Sequence, residues 1–196
     1  MFQKVTEFEK RVAEFFGAPY AVAVDSCTHG VELCLRYKNS SYMFVPVHTY
    51  LSIPMLAKKL NIQFYWSNEP WENYYEIIDK IYDAAVLWER DSYIPGTMMS
   101  LSFQFQKHLS LGRGGMILLD DKEAHEELIR MSYDGRDRDM PWRDQNVKTH
   151  GYHYYMTPET AITGIERLED AINRKPKQWV MSDWPNLSLM EVFRNG

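Results

Sequence analysis

The chain has 196 residues with a formal net charge of -5, and 45% of its residues are hydrophobic. This length and apolar fraction suffice for one core, so we expect a single domain over residues 1–196. Acidic and basic residues are interspersed without a basic stripe, which argues against a nucleic acid partner. No segment approaches the roughly 20 apolar residues of a membrane helix, and the amino terminus lacks the apolar region of a signal peptide. The sequence therefore predicts a cytoplasmic protein that does not contact a membrane.

The cysteines and histidines predict neither a cross-link nor a metal site. Cys27 and Cys34 fall in one predicted helix, where their Cα atoms would lie about 10 Å apart, beyond the reach of a disulfide. His150 and His153 lack the cysteine or carboxylate neighbours of a zinc site. We expect reduced thiols and no bound metal.

The first third of the chain alternates predicted helices and strands. Thr6 and Glu9 have the spacing of a capping box at the start of the first helix, which Gly17 ends. The elements that follow are a strand at 20–24, a helix at 28–37, a strand at 42–45, a helix at 51–60 and a strand at 62–66.

The alternation continues in the rest of the chain. Predicted strands cover 80–82, 101–105 and 116–119, and helices cover 122–133 and a segment opened by Thr157 and Pro158. This order predicts an α/β fold with three α/β/α layers and a mostly parallel sheet, whose ligands bind beyond the carboxyl ends of the strands. Asp83 and Lys107 both follow such ends. The last 20 or so residues are rich in aromatic side chains, so we expect a tail that packs on its own core or on a partner subunit.

One lysine is placed where it could act on a ligand. Lys107 lies between an alternating apolar segment and a turn that contains Gly112, Gly114 and Gly115. Glycines let the backbone take left-handed angles and approach a flat ligand closely. A lysine held rigidly and partly desolvated beside a carbonyl becomes a nucleophile. The ordinary alternative is a solvated lysine before a glycine turn.

A polar turn connects the first predicted strand to the second helix. The N–H groups in the first turn of a helix have no partners within the helix and can bind an anion. Ser26 and Thr28 are therefore candidate anion ligands, and plain helix capping is the alternative. A further hypothesis makes Cys27 a nucleophile at the helix amino terminus, with His29 nearby.

Five segments in chain order carry a recurring pattern, at 16–28, 45–50, 82–85, 102–115 and 151–157. They resemble the motifs "fe..fa.ylG..yavavnSGTaAL", "vPs.Tf", "EDaA", "SF...K.l..GeGG" and "GyNyRmt" of the DegT/DnrJ/EryC1/StrS family. The resemblance implies a sugar aminotransferase of the aspartate aminotransferase fold that uses pyridoxal 5'-phosphate (PLP). Five matches in the right order are more specific than any single motif.

The resemblance assigns roles around the cofactor ring. Lys107 would bind the cofactor aldehyde covalently and then move a proton between the substrate and the cofactor. Asp83 would lie beside the pyridine nitrogen, where a carboxylate favours the protonated ring. Tyr50 would stack on the ring face. The alternatives are a strand-end turn residue for Asp83 and a core aromatic for Tyr50.

The resemblance also assigns the cofactor phosphate and the substrates. The phosphate would rest on the amides of Cys27 and Thr28, beside the Ser26 and Ser102 hydroxyls. Cys27 stands where the family has glycine, and its Cβ is expected to narrow this site. Three further residues are assigned to substrate binding, namely His108, His153 and Tyr155.

The implied reaction moves an amino group from glutamate to a keto sugar attached to a nucleotide, in a homodimer. The chain is shorter than the family pattern, because 68–76 replaces a longer segment and the small carboxyl-terminal domain is expected to be missing. The alternative hypothesis is a non-catalytic remnant of the fold that binds PLP or a protein partner.

Overall fold

The computed structural model describes residues 2–194, so Met1, Asn195 and Gly196, which belong to the predicted domain, lie outside the described residues. The helices are α1 (Gln3–Phe16), α2 (Cys27–Tyr37), α3 (Ser52–Leu60), α4 (Lys122–Ser132), α5 (Pro158–Asn173) and α6 (Glu191–Arg194). The strands are β1 (Tyr20–Val24), β2 (Tyr42–Pro46), β3 (Gln63–Ser67), β4 (Tyr75–Ile78), β5 (Ile81–Asp83), β6 (Met98–Ser102) and β7 (Gly115–Leu119). None of the helices within residues 2–194 has both the length and the apolar character that crossing a membrane requires.

A five-stranded sheet in the order β1-β7-β6-β5-β4 forms the centre of the protein. β5 and β6 are parallel, whereas β1–β7, β6–β7 and β4–β5 are antiparallel. β2 and β3 form a separate parallel pair that packs beside β4. The predicted α/β fold is confirmed, but the sheet is mixed rather than mostly parallel. Parallel neighbours need a crossover connection, and here a tight turn at Asp79 and Lys80 joins β4 directly to β5.

Helices cover both faces of this sheet and make the three predicted layers. α1 and α5 pack together on one face, and α2 and α4 pack together on the other. Side chains of a strand alternate between faces, and β7 divides between the two cores in this way. Met116 and Leu118 join the core under α1, whereas Ile117 and Leu119 join the core under α2.

The first helix begins one turn earlier than predicted. α1 starts at Gln3 without a side-chain cap, so the capping box of Thr6 and Glu9 is wrong. Glu9 is buried instead, where it accepts a hydrogen bond from the Ala23 N–H at 2.8 Å and pairs with Arg138 at 2.8 Å. A carboxylate that satisfies a strand amide and an arginine far along the chain cannot be recognised from local spacing.

Two other differences concern the segments around the predicted site. β6 ends at Ser102, so the predicted strand at 101–105 is shifted, and a turn leads to Lys107. β4 was not predicted, because its residues were interpreted as part of a connection. The described part of the predicted tail packs on the same chain. Phe193 contacts Phe64 and Trp66, with ring centroids 6.4 and 5.6 Å apart.

Candidate active site

The candidate site lies at one edge of the central sheet. β1, β5 and β6 end at this edge, and β7 begins there, with Gly115 paired to both Val24 and Ser102. The connections that follow β1 and β6 therefore meet in space. One leads into α2, and the other carries Lys107.

A cavity of about 520 Å³ opens at this edge. All seven residues predicted to bind the cofactor line it, namely Ser26, Cys27, Thr28, Tyr50, Asp83, Ser102 and Lys107. The structure thus brings these residues together, and their individual roles stay predictions.

The amino terminus of α2 forms one end of the cavity. Ser26 caps the helix, because its Oγ accepts a hydrogen bond from the His29 N–H at 3.2 Å. Thr28 Oγ1 lies 2.7 Å from Ser52 Oγ. The capping interpretation of Ser26 is therefore correct, while the N–H groups of Cys27 and Thr28 precede the first hydrogen bond within the helix and can still bind an anion.

The glycine turn brings the start of β7 against this helix end. Gly112 and Gly114 have φ angles of 80° and 151°, as the turn prediction requires. Gly115 is needed for a different reason. A Cβ there would lie 2.4 Å from the Ser26 carbonyl carbon and 2.5 Å from the Cys27 nitrogen, which no side chain can occupy.

The Cys27 side chain points into the core. Its Sγ lies 3.2 Å from the Ser100 carbonyl oxygen and 3.8 Å from Asp83 Oδ1. Burial, and then the Asp83 charge, raise the pKa of the Cys27 thiol well above its usual value. His29 is held by Asp25 at 2.6 Å and does not contact the thiol. The structure therefore does not support the nucleophile hypothesis for Cys27, because the thiol is buried and His29 is engaged with Asp25.

Asp83 is a buried carboxylate with specific hydrogen-bond donors. The Ala85 N–H donates to Oδ1 at 2.9 Å, and the Tyr75 hydroxyl donates to Oδ2 at 2.8 Å. Tyr75 in turn is hydrogen-bonded to Thr49. Burial raises the pKa of Asp83, while these donors and the Lys107 charge act in the opposite direction. The carboxylate is thus fixed in orientation at the end of β5.

Lys107 is held by the turn after β6. Phe103 is anchored in the core beside Phe8, and the Lys107 N–H donates to the Gln104 carbonyl at 2.8 Å. Burial lowers the pKa of the Lys107 amine, and the negative charge of Asp83 opposes this effect. The side chain is a partly desolvated amine in the same cavity as a buried carboxylate, as a nucleophilic lysine requires.

The three residues assigned to substrate binding do not line this cavity. His108 turns toward α5, where its Nε2 lies 2.8 Å from the Ala171 carbonyl oxygen. Tyr155 packs against Phe2 and Tyr133 in the core under α1. His153 lies near the surface, with its Nδ1 3.1 Å from Asp134 Oδ2. Substrate binding by these residues within this cavity is not supported by their positions.

Among the lining residues that the sequence analysis did not assign to the site, four carry charged or indole side chains: Arg113, Trp179, Asp183 and Trp184. Arg113 pairs with Asp25 at 2.7 Å beside the α2 terminus, and it stands at the Glu position of the "GeGG" motif. The tryptophans and Asp183 come from the carboxyl-terminal tail. The aromatic content of that tail was the one available signal, and it did not indicate where the tail would pack.

The residues present fit PLP in three respects. Gly115 and the α2 terminus form a tight backbone cradle suited to a phosphate. Asp83 supplies a buried carboxylate for a ring nitrogen, and Lys107 supplies a desolvated amine for an aldehyde. Each part of the cofactor thus has a matching group in one cavity.

Several solved structures share the fold of this chain. AtS13 from Actinomadura melliaura has a similar structure, with a TM-score of 0.71 and 23% identity over 86% of this chain and 60% of its own. The PLP form of Spr1654 from Streptococcus pneumoniae has a TM-score of 0.70 and 16% identity over 86% and 59%. PseC from Helicobacter pylori, an aminotransferase involved in the biosynthesis of pseudoaminic acid, has a TM-score of 0.72 and 13% identity over 86% and 58%. The chain thus spans about 60% of the length of the structures that it matches.

No curated protein matches the sequence. The profile of the DegT/DnrJ/EryC1/StrS aminotransferase family matches residues 1–63 and 94–180, which is more than half of the chain. The unmatched gap contains β4, β5 and the short connection before them. The chain therefore belongs to the DegT/DnrJ/EryC1/StrS aminotransferase family.

Proposed function

We propose that this protein is a PLP-dependent aminotransferase that moves an amino group from glutamate to a keto sugar attached to a nucleotide. The observation that carries the proposal is the placement of Lys107, Asp83 and the α2 amino terminus around one cavity. Family membership supports the reaction class, and the names of similar structures include sugar aminotransferases.

PLP, when bound, supplies an aldehyde that condenses with amines and a ring that withdraws electrons from the adjacent carbon. Lys107 has two tasks in this proposal. Its neutral Nζ would hold the cofactor through the aldehyde, and the same amine would accept the proton that leaves the substrate carbon bearing the nitrogen. The burial that lowers the Lys107 pKa favours the neutral amine that both tasks need.

Asp83 keeps a proton on the ring nitrogen in this proposal. A carboxylate can do this only if it stays ionised, which burial alone disfavours. Tyr75 and the Ala85 N–H offset this effect by donating hydrogen bonds to the two carboxylate oxygens. Tyr75 is thus a positioning residue, because it acts through Asp83.

The phosphate is proposed to bind at the α2 terminus. The N–H groups of Cys27 and Thr28 and the Ser102 hydroxyl would donate to it, and Tyr50 would cover the ring face. Arg113 also lines the cavity at the α2 terminus, where its guanidinium adds a positive charge.

The test is a visible absorbance titration with PLP, followed by addition of glutamate. We expect a band from the lysine-linked cofactor that disappears with glutamate, and no band for Lys107→Ala. Lys122→Ala is the matched control, since Lys122 is exposed and lies outside the cavity.

A band that no amino donor removes would contradict the aminotransferase proposal and favour the non-catalytic alternative. A band that survives Lys107→Ala would contradict the assignment of the nucleophile. The homodimer and the cytoplasmic location stay parts of the proposal. Light scattering tests the first, with a mass twice that of the 23.2 kDa chain expected.

A further inference from the structure

The outer wall of the cavity is built by the tail, which packs on a segment that is distant in sequence. Trp179, Asp183 and Trp184 of the tail line the cavity, and Trp71, which is buried behind them, comes from the short connection before β4. The Trp184 ring lies 5.1 Å from the Trp71 ring and 5.2 Å from the Trp179 ring, measured between centroids. The three indoles therefore form one packed cluster, of which Trp179 and Trp184 line the cavity.

Hydrogen bonds fix the tail to this connection. Asn73 binds the Trp179 backbone twice, through its N–H to the Trp179 carbonyl at 2.8 Å and through its Oδ1 to the Trp179 N–H at 3.0 Å. His48 Nδ1 lies 2.8 Å from the Trp184 carbonyl oxygen, and Trp71 Nε1 donates to the His48 carbonyl at 2.9 Å. The wall is thus held in place before any ligand binds, which reduces the entropic cost of binding.

The wall also reaches the catalytic groups. The Trp71 ring lies 5.0 Å from the Tyr75 ring, and Tyr75 donates to Asp83. A ligand on Trp184 would therefore share the cavity with Lys107 and Asp83.

One carboxylate accompanies the tryptophans. Asp183 is exposed, and it pairs with Lys177 at 3.2 Å while Lys177 Nζ lies 3.7 Å above the Trp179 ring. The Val180 N–H, and then Lys177, lower the pKa of Asp183, so its oxygens are available as acceptors at neutral pH. Aromatic rings offer an apolar face to the C–H groups of a saturated ring, and a carboxylate accepts hydrogen bonds from hydroxyls.

We propose that Trp179, Asp183 and Trp184 form the subsite that binds the sugar ring of the amino acceptor. This inference rests on the proposed function, because it assigns residues to the sugar substrate of that reaction. The subsite is supplied by the same chain that carries Lys107.

The experiment measures what the sugar ring adds to binding. Calorimetric titrations compare dTDP-glucose with dTDP, and UDP-N-acetylglucosamine with UDP, on the full chain with and without PLP. We expect at least one sugar nucleotide to bind about fivefold tighter than its bare nucleotide. Trp184→Leu and Asp183→Asn should remove this preference and leave the affinity for the bare nucleotide unchanged.

Two variants serve as matched controls. Trp142→Leu changes a tryptophan that is exposed and lies outside the cavity. Lys177→Gln removes the ion pair to Asp183 and keeps its carboxylate. Both should retain the preference for the sugar nucleotide. Asp183→Asn still tests the subsite if Trp184→Leu fails to fold, because Asp183 is exposed.

The inference is overturned if the native chain shows no preference for either sugar nucleotide, or if both subsite variants keep the preference. Tighter binding by Trp184→Leu would also overturn it, since the tail would then block the cavity. The absorbance band is recorded on the same samples. If the variants show a normal absorbance band and keep the preference for the sugar nucleotide, only the subsite is rejected. If the absorbance band is missing, the proposed function is rejected.

Discussion

The two ends of the cavity are built in different ways. At the α2 terminus, Ser26, Cys27 and Thr28 are consecutive, and Gly115 fits against them because it has no Cβ. At the tryptophan wall, Trp71 and Trp184 are more than 100 residues apart and meet only through tertiary packing. The first end is built from closely packed backbone groups, where an added Cβ would clash. The second end is built from side chains, which can be substituted more easily. We therefore expect substitutions at the first end to damage folding and cofactor binding together, and those at the second to change ligand preference.

Gly115→Ala is expected to have the largest effect, and it tests the difference between the two ends of the cavity. Its Cβ would lie 2.4 Å from backbone atoms that cannot move independently, so we expect a loss of about 3 kcal/mol in the free energy of unfolding and a loss of PLP binding. Urea denaturation and PLP titration measure the two effects. Gly112→Ala is the control, because a Cβ there meets open space and only its φ of 80° is strained, at about 1 kcal/mol. Equal costs for both variants would show that close backbone approach is not what requires Gly115.

The next largest effect concerns the carboxylate between the two ends. Tyr75→Phe removes a hydrogen bond to buried Asp83 and should cost about 2 kcal/mol of unfolding free energy at neutral pH. Tyr82→Phe removes a longer, more exposed bond to Glu76 and should cost less than about 0.5 kcal/mol.

The cost of Tyr75→Phe should also depend on pH. The folded pKa of Asp83 lies above 3.8, so its contribution to stability is full below that value and is lost as the pH rises through the folded pKa. Removing the hydroxyl raises this pKa further, so the cost should be larger at pH 7 than at pH 4. A cost that falls with rising pH would argue against ionised Asp83.

A third prediction concerns the coupling of Lys107 to Asp83. The pH dependence of acetylation at Lys107, followed by peptide mass spectrometry, should have its midpoint below 10.5. Asp83→Asn should lower this midpoint further, because it removes the negative charge that raises the Lys107 pKa. Exposed Lys122 gives the reference curve within the same samples. An upward shift in Asp83→Asn would mean that the two groups are not coupled as proposed.

The smallest effect on global stability is expected at the tail. Asn73→Gly removes side-chain hydrogen bonds to Gln178 and Trp179 without straining a backbone that has a φ of 59°. We expect a change of about 1 kcal/mol or less in global stability and a clear loss of hydrogen-exchange protection at Trp179. Asn39→Gly is the control, since Asn39 has a φ of 51° and is exposed. Unchanged protection at Trp179 would show that the Asn73 side chain does not hold the tail in place.

Prediction from the sequence succeeded for features that depend on residues close together in the chain. The turn after β1, the carboxylate that ends β5 and the lysine after β6 each carry a local pattern, and the topology brings them to one cavity. The same reasoning failed for Glu9, whose spacing suggested a cap although the structure uses its carboxylate for Arg138. It also missed β4 and with it Tyr75, because a short aromatic segment has no clear period.

The sequence by itself determined the α/β class, the family and seven residues that line one cavity, because helices, strand ends and turns follow from neighbouring residues. Only the tertiary structure decided that the sheet is mixed, that Tyr75 donates to Asp83 and that Trp179 and Trp184 line the cavity. These features join residues that are far apart in the chain. Their placement depends on how whole elements pack, which the spacing of residues within one segment does not predict.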